Sequence, residues 1–329
     1  TTLIITPLLL SLFEVGEQPI TKDKALVQLR DSKGNAMKLP KNQFTKGRER
    51  DLEELNHFTS TQIISYNPYT SLQSLINIHP LNNTSPLYKT LSHKSTGTIG
   101  QREYFRPLNQ SVHSVFNVDL KHGGRIYTSA GAQNTRRDER KTLIINGDAT
   151  VEPDYSAMHP RMLYASVDIQ YDADPYLVVC DNLGSIELRP LVKLCFNTAI
   201  NASVSTYSGG VYKRLRELKH SIDAGKRAQA RLMWDLMEEH DVNPDNILKA
   251  IRYIHQPIAH FIAAKVGAEL QLLDGKISLD TMLQLKERGI VSCGVHDSII
   301  VPDKYKETAI DVMHESYSKY MGGFNAVID

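Results

Sequence analysis

Two aspartates each follow a segment with the composition of a β-strand. Asp154 comes after the apolar and β-branched run at 142–153, and Asp297 lies between two short β-rich runs at 290–302 that are typical of a hairpin. Strand ends on one sheet surface bring such carboxylates together at a fixed spacing. Two carboxylates are about the minimum that holds Mg²⁺ against a triphosphate, so the pair predicts two-metal phosphoryl transfer with ions roughly 3.5–4 Å apart. Strand-end aspartates also commonly cap turns, and for the pair alone that interpretation stays open.

A polar stripe lies on a predicted helix that has Pro190 as its first residue. Arg189, Lys193, Asn197 and Asn201 are spaced by four residues, so they drift slowly around one helical face. The stripe spans roughly 18 Å at about 1.5 Å per residue, comparable to a nucleotide from γ-phosphate to base. The two cations lie at the helix N-terminus, where free N–H groups attract phosphate. Asparagine is a poor helix former, so two asparagines at this spacing indicate a function such as contact with a sugar or a base. A polar stripe of this kind is, however, more often the solvent-exposed face of a helix.

Four short motifs around these residues resemble the DNA polymerase I family (family A). DYSAMHPR at 154–161 is similar to motif A, DYSxxExR, and RPLVKLCFNTAIN at 189–201 is similar to motif B. GVHDSIIVP at 294–302 resembles motif C, the His-Asp hairpin of that superfamily. GGRIYTSAGAQN at 123–134 resembles the GRLxS…QN segment, with an interval one residue shorter. The specificity of the resemblance comes from the shared order of the four motifs within residues 121–320.

The resemblance implies a role for each matching position. Asp154 and Asp297 would bind the two catalytic Mg²⁺ ions, which Mn²⁺ could replace, and the backbone carbonyl of Tyr155 would add a ligand. Lys193 would contact the triphosphate and protonate the leaving pyrophosphate, while Arg189 would grip the outer phosphate. The implied reaction is attack of a 3′-hydroxyl on an α-phosphate, with catalysis mostly by positioning and charge neutralisation.

The resemblance also implies contacts with a primer and template. His296 would lie near the primer terminus, and Arg125 would touch the minor groove of the primer–template. Gln133 and Asn134 belong to the same segment and are candidates for the same duplex.

Several positions depart from the family pattern. His159 stands where family A DNA polymerases carry a Glu that excludes the ribose 2′-hydroxyl, and Asn197 and Asn201 replace aromatic residues of motif B. Ser298 replaces the Glu that ends motif C, and HDS is the form of single-subunit phage and mitochondrial RNA polymerases of the same superfamily. We therefore keep His159, Asn197 and Asn201, with Tyr155, as candidates for nucleotide binding and leave the choice of sugar open.

The elements between the motifs are predicted to be mostly helical. A basic, surface-exposed helix is expected over 213–240, two helices interrupted at Pro257 follow it, and a short helix begins at Ser278. His255 and His260 straddle the proline without any standard zinc spacing.

The composition is that of an ordinary globular protein. The chain has 329 residues, 41% apolar and 23% charged, with a net charge of +1, which excludes a collagen-like repeat, a coiled coil and a disordered tail. Three cysteines are too few for a disulfide framework, so we expect a reducing compartment, either a bacterial or virus-infected cytoplasm or an organellar matrix.

The apolar run at 3–13 contains Pro7 and is too short to span a bilayer, so we expect no membrane contact. Basic stretches at 20–51, 88–141 and 213–231 favour nucleic acid as a partner, or are simply solvated faces.

The resemblance implies an α+β chain with a right-hand polymerase fold. The palm would combine an antiparallel sheet with helices, the fingers would be helical, and a small thumb-like region would precede them. The expected division is a thumb-like or accessory region at 1–115, palm at 116–165, fingers at 166–254 and palm at 255–329. The first of these is too short for a thumb plus an exonuclease, so we expect no proofreading domain.

The favoured function is template-directed transfer of nucleotides from nucleoside triphosphates to a 3′-hydroxyl, in a phage, plasmid or other mobile replicon. Motif A favours DNA synthesis, while motif C and the lost gate Glu favour a single-subunit RNA polymerase or primase. Template-independent terminal transfer is the alternative if a reduced thumb cannot hold a duplex. A non-catalytic, polymerase-derived nucleic-acid-binding subunit is a fourth reading, and a partner subunit that completes the enzyme stays an open alternative.

Overall fold

The structure is a computed structural model that describes residues 25–66 and 109–329. The chain divides into two compact units. In described residues, the first unit comprises 25–66, 109–116, 125–154 and 278–312, and the second comprises 117–124, 155–277 and 313–329. Part of the region predicted as thumb-like, 1–24 and 67–108, lies outside the described residues, and the four-part division into palm, fingers and thumb stays a prediction.

The described strands belong to the first unit, apart from residues 117 and 123–124, which lie at the facing ends of two successive strands and belong to the second unit. In chain order they are β1 (Val27–Arg30), β2 (Ala36–Met37), β3 (Ile64–Tyr66), β4 (Asn109–Asn117), β5 (Gly123–Ala130), β6 (Leu143–Ile145), β7 (Asp148–Val151), β8 (Cys293–Val295) and β9 (Ser298–Pro302). They form a four-stranded sheet in the order β2-β1-β4-β5 and a five-stranded sheet in the order β3-β6-β7-β9-β8. Every neighbouring pair in the five-stranded sheet is antiparallel.

The described helices are shared between the two units. They are α1 (Gln43–Ser60), α2 (Arg137–Arg140), α3 (Met158–Ala165), α4 (Leu177–Leu183), α5 (Arg189–Asn201), α6 (Val204–Lys219), α7 (Ala224–Glu239), α8 (Pro244–Ile254), α9 (Gly267–Glu287) and α10 (Lys306–Tyr320). The chain is thus a mixed protein of helices and antiparallel sheets. Within the described residues, every helix is too short or too polar to cross a lipid bilayer.

The five-stranded sheet follows directly from its sequence. Leu143 and Ile145 alternate with the half-buried Ile144 on β6, and the next two residues are Asn146 and Gly147. Both have positive φ, 52° and 88°, as a two-residue turn between antiparallel strands requires. The buried face joins a core formed by Ile64, Ala132, Leu143, Ile145, Val291, Cys293, Val295 and Ile300.

Helix α5 of the second unit is anchored by one apolar face. The fully buried residues of that face are Leu191, Val192, Cys195, Phe196, Ala199 and Ile200. They recur at helical spacing, so one face packs against α4, α6 and α8 while the predicted polar stripe stays on the other face. The C-terminal carbonyls of Ala199 and Ala202 accept hydrogen bonds of 3.0 and 3.2 Å from the amides of Ala263 and Lys265, which satisfies groups that a helix end leaves unpaired.

Two predicted helices differ from the structure. The expected helix over 213–240 is two helices, α6 and α7, because the Asp223 side chain accepts a hydrogen bond of 3.1 Å from the amide of Lys226 and caps a new helix there. Ser278, expected to begin a short helix, lies inside the 21-residue α9. The buried side chains of Ile277, Leu279 and Met282 continue through this point, and their packing overrides a local capping preference.

Candidate active site

The two aspartates lie on neighbouring antiparallel segments of the first unit. Asp154 follows β7 and forms a bridge opposite Ser298, the first residue of β9. Asp297 is the residue before Ser298, in the two-residue turn between β8 and β9, where Val295 pairs with Ser298. Opposite residues of an antiparallel pair have Cβ atoms about 4.5–5.5 Å apart. Both carboxylates therefore lie at one end of the five-stranded sheet.

Both aspartates line one pocket, which lies wholly within the first unit and encloses about 420 Å³. Its charged lining residues are Arg137, Arg140, Lys141, Glu152, Asp154 and Asp297. Asp154 is half-buried, whereas Asp297 is exposed. The pocket thus presents carboxylates for a cation and guanidinium and ammonium groups for an anion, which is the combination that a metal-bound polyphosphate needs.

Glu152 connects the strands that carry the two aspartates. Its carboxylate receives two hydrogen bonds from Arg140, of 3.0 and 2.8 Å, and one of 2.8 Å from the hydroxyl of Ser298. Arg140 also donates to the carbonyl of Thr135 at 3.0 Å. The Arg140 and Glu152 side chains are only 13% and 21% exposed, so this network fixes β7 against the start of β9.

The structure brings His296 to Gln133 in the same pocket. The Gln133 amide nitrogen lies 3.4 Å from His296 Nδ1, and this amide also bonds the backbone of Ile126 and Thr128 at 3.1 Å each. Asn134 donates a bond of 3.0 Å to the carbonyl of Thr128. Gln133 and Asn134, predicted as primer–template residues, thus have structural contacts that hold the turn after β5.

Arg125 does not line this pocket. It lies near the start of β5 and is half-buried. Its predicted contact with the minor groove of the primer–template therefore stays a prediction.

In the second unit, Arg189 forms an ion pair with Asp174. Its Nε and Nη2 lie 3.0 and 2.6 Å from one oxygen of Asp174. Burial would raise the pKa of Asp174, but hydrogen bonds from Arg189 and from the amides of Tyr176 and Leu177 outweigh it and hold this pKa below its ordinary value. A predicted phosphate-gripping residue is therefore held by a carboxylate in this structure.

The rest of the predicted stripe lies on the outer face of α5. Lys193 is exposed and its ammonium lies 5.8 Å from the centre of the Tyr176 ring. Asn197 is exposed, and its carbonyl accepts a bond of 2.9 Å from the Asn201 amide. The Asn201 side chain also lies against Gly267, where a Cβ atom would collide with it.

His159 forms a close pair with a buried carboxylate. Its Nε2 lies 2.8 Å from Asp274 Oδ2, and the two side chains are 18% and 6% exposed. Tyr155 is buried and its hydroxyl donates a bond of 2.6 Å to the carbonyl of Met313, so its side chain is a core group and only its backbone remains as a candidate ligand.

The residues of the pocket fit Mg²⁺. This ion prefers oxygen ligands and keeps several waters, so one or two carboxylates plus substrate phosphates suffice. Asp154 and Asp297 supply those carboxylates, while Glu152 is taken up by Arg140 and Ser298. Within the described ranges, a group of three acidic, His or Cys side chains with ligand atoms all within 4.8 Å occurs only at Glu187, Glu239 and His240, in the second unit.

The cysteines near the motifs are inert. Cys195 and Cys293 are buried and unpaired by disulfides, and burial raises the pKa of each thiol to about 12. They pack as small apolar residues.

Comparison with known proteins finds matches among solved structures alone. No family model matches the chain, and no curated protein matches it. Among solved structures, the POL domain of Pol1 from M. smegmatis, in complex with DNA primer-template and dNTP, is similar at 13% identity and a TM-score of 0.37. The alignment covers 79% of this chain and 54% of that chain, so it spans about half of that structure. A TM-score of this size is too low to establish a shared fold.

Sequence reasoning missed the other charged residues of the pocket. Glu152 precedes Asp154 by two residues, and alternate residues of an extended segment share a face, so this spacing could have indicated it. Arg137, Arg140 and Lys141 come from a short helix and the turn after it, and no local pattern points from that segment to the β8–β9 hairpin.

Proposed function

We propose that this chain is a template-directed nucleotidyltransferase of the DNA-polymerase type. One observation carries the proposal: Asp154 and Asp297, the aspartates of two ordered sequence motifs, line the same pocket with Arg137, Arg140 and Lys141. Carboxylates and cations around one polar pocket suit a metal-bound triphosphate and the phosphates of a nucleic acid.

The reaction would join a nucleoside triphosphate to a 3′-hydroxyl. The 3′-oxygen forms a bond to the α-phosphorus while the bond from that phosphorus to its bridging oxygen breaks, so that pyrophosphate leaves and the hydroxyl proton passes to solvent. Asp154 and Asp297 would hold Mg²⁺, or Mn²⁺ in its place. When bound, the metal would lower the pKa of the attacking hydroxyl and neutralise phosphate charge.

The remaining pocket residues would position the substrates. Arg137 and Lys141 are exposed and would attract phosphate oxygens, whereas Arg140 would act through Glu152, to which it is bonded. His296, at the turn beside Asp297, would contact the end of the primer. The assignment of Arg189, Lys193 and the other residues of the stripe to the incoming nucleotide rests on the resemblance of motif B.

The proposal includes a right-hand polymerase arrangement with a primer–template partner. It also places the protein in a phage-type or plasmid-type replicon, in a reducing compartment such as a bacterial or virus-infected cytoplasm or an organellar matrix. The three cysteines support the compartment, since each is buried and outside any disulfide.

RNA synthesis is the second candidate, and the His159–Asp274 pair favours it. A histidine whose ring is held by a buried carboxylate could hydrogen-bond a ribose 2′-hydroxyl, where a gate Glu would exclude it. A single-subunit RNA polymerase or primase would therefore use the same aspartates with the other sugar.

Extension of a labelled primer tests these proposals. The full chain is given DNA or RNA templates with deoxynucleotides or ribonucleotides, each in a separate reaction with Mg²⁺. Template-matched products are expected, and the preferred sugar distinguishes the two candidates. Products that ignore the template would replace this proposal with terminal transfer, and binding without any product would favour a non-catalytic subunit.

A further inference from the structure

The turn between α6 and α7 presents an apolar side chain to solvent. Ile222 is 92% exposed, far more than a side chain of this type on a folded surface normally is. It lies at the tip of two packed helices, where neither helix covers it.

The turn holds Ile222 in a defined position. Arg227 donates hydrogen bonds of 2.8 and 2.6 Å to the carbonyls of Ser221 and Ile222. The Asp223 amide donates to the Ser221 hydroxyl at 3.2 Å, and the Asp223 carboxylate caps α7. The backbone on both sides of the exposed isoleucine is therefore tied down, so its outward direction is fixed by the fold.

Cations flank this apolar tip along the chain. Residues 213–231 contain seven Lys and Arg against two acids. Glu217 pairs with Lys213 and Arg214, but a further set is exposed and forms no ion pair with the described residues: Arg216, Lys219, Lys226 and Arg231. The unneutralised charge makes a polyanion the natural partner of this tip.

The first turn of α7 adds to the same preference. It has no acidic residue and contains Lys226, although a cation opposes the positive end of the helix dipole. Because the Asp223 carboxylate already caps this end and accepts a bond from the Lys226 amide, it is the exposed Lys226 ammonium that remains to attract an external anion.

We propose that this α6–α7 tip binds double-stranded nucleic acid, with its cations on the phosphates and Ile222 inserted between adjacent bases. The inference rests on the proposed function for the presence of a nucleic acid. Apolar side chains that partly unstack a base step from a basic surface have this combination of groups. The backbone of the turn is already held by these hydrogen bonds, so binding costs less ordering of the chain.

Duplex binding by the full chain tests the two parts separately. The probe is a DNA duplex with 2-aminopurine at internal positions, whose fluorescence rises when it unstacks, and affinity is followed by anisotropy at several salt concentrations. Ile222→Ser is expected to remove most of the fluorescence rise while the affinity falls less than about tenfold. The matched control is Val204→Ser, which changes an apolar residue 60% exposed at the other end of α6 and is expected to change neither signal.

The charged part is tested by Lys219→Gln combined with Lys226→Gln. Loss of two phosphate contacts is expected to reduce the slope of log affinity against log salt by about 2. An unchanged slope, an unchanged fluorescence rise in Ile222→Ser, or no duplex binding by the wild type would overturn the proposal. So would tighter, Ile222-dependent binding to anionic phospholipid vesicles than to duplex.

The measurements are made without nucleotide or Mg²⁺ and repeated with Asp297→Asn. Wedge behaviour in the catalytically altered chain is expected to match the wild type. Failure of primer extension would therefore contradict the proposed function without affecting these fluorescence and affinity measurements. Failure of these measurements would contradict only the proposal for the α6–α7 tip.

Discussion

The hydroxyl of Ser298 donates a hydrogen bond of 2.8 Å to the carboxylate of Glu152. Ser298 directly follows Asp297, and Glu152 comes two residues before Asp154, so this one bond joins the two segments that carry the proposed metal ligands. Arg140 holds the same carboxylate from the other side. The separation of the two aspartates is thus controlled by side chains that touch neither substrate nor metal in the proposed reaction.

Arg140→Met is expected to destabilise the protein and to loosen the pocket. Glu152 would keep only its bond to Ser298 in a largely buried site, and the loss is about 1–3 kcal/mol in the free energy of unfolding. Urea denaturation of the variant beside Arg136→Met, an exposed neighbour, measures it. Equal stabilities of the two variants would contradict the role given to Arg140. Arg140→Lys is expected to restore only part of the loss, because an ammonium cannot reproduce the paired bonds of a guanidinium.

Asp174→Asn is expected to change how stability depends on pH at the acidic end. The pKa of Asp174 is depressed in the folded protein. The stabilisation that its ion pair with Arg189 gives the fold is therefore fully present above the unfolded pKa of about 3.9, and it is lost as the pH falls through the folded value. The melting temperatures of wild type and variant should therefore differ at pH 6 and converge toward pH 3. A difference that stays constant over this range would contradict the ion pair.

The fully buried His255 predicts a second pH dependence at higher pH. Its ring lies 2.7 Å from the Tyr164 hydroxyl and 2.9 Å from the Pro175 carbonyl. Burial lowers the pKa of His255 against the opposing effect of the Pro175 bond. The contribution of the neutral His255 ring to the stability of the fold is therefore complete above the unfolded pKa of about 6.5, and it is lost as the pH falls through the lower folded value.

Melting temperatures measured between pH 5 and 8 test this. The wild type is expected to lose stability below pH 6.5 more steeply than His255→Gln, which does not titrate there. The exposed His220→Gln serves as the control and is expected to follow the wild type. Parallel curves for wild type and His255→Gln would show that this ring does not stay neutral in the fold.

Replacing Asp274 is expected to change the choice of sugar. Asp274→Asn removes the charge that faces His159, and His159→Glu introduces the residue that family A carries at this position. If His159 meets the ribose, Asp274→Asn should shift the ratio of kcat/KM for ribonucleotides over deoxynucleotides, and His159→Glu should move it about tenfold or more toward deoxynucleotides. Asp235→Asn, on the exposed surface of α7, is the control. Unchanged ratios in both variants would remove His159 from the nucleotide site.

Much of the sheet that carries the aspartates could be predicted because its signals are local. Asn146-Gly147 marks a tight hairpin, and the β-rich runs on both sides of His296-Asp297 mark another. The start of α5 at Arg189 could also be predicted, since Pro190 suits the first turn of a helix.

The contacts that hold the site could not be predicted, because they join distant segments. Nothing near Arg189 indicates that Asp174 will neutralise it, and nothing near His159 indicates Asp274, 115 residues later. The continuity of α9 through Ser278 likewise depends on burial rather than on local preference. Tertiary packing decides such cases, and it cannot be deduced from the local periodicity of the sequence.

Single-nucleotide addition to a primer by Asp154→Asn and Asp297→Asn tests the central claim most directly. Asn keeps the shape of each side chain but removes the charge that would hold Mg²⁺, so each variant is expected to lose at least about a hundredfold in rate while it still binds primer–template. Asp138→Asn makes the same change at an exposed carboxylate on α2 and is expected to keep the wild-type rate. Wild-type activity in both Asp154→Asn and Asp297→Asn would contradict the assignment of this pocket as a nucleotidyl-transfer centre.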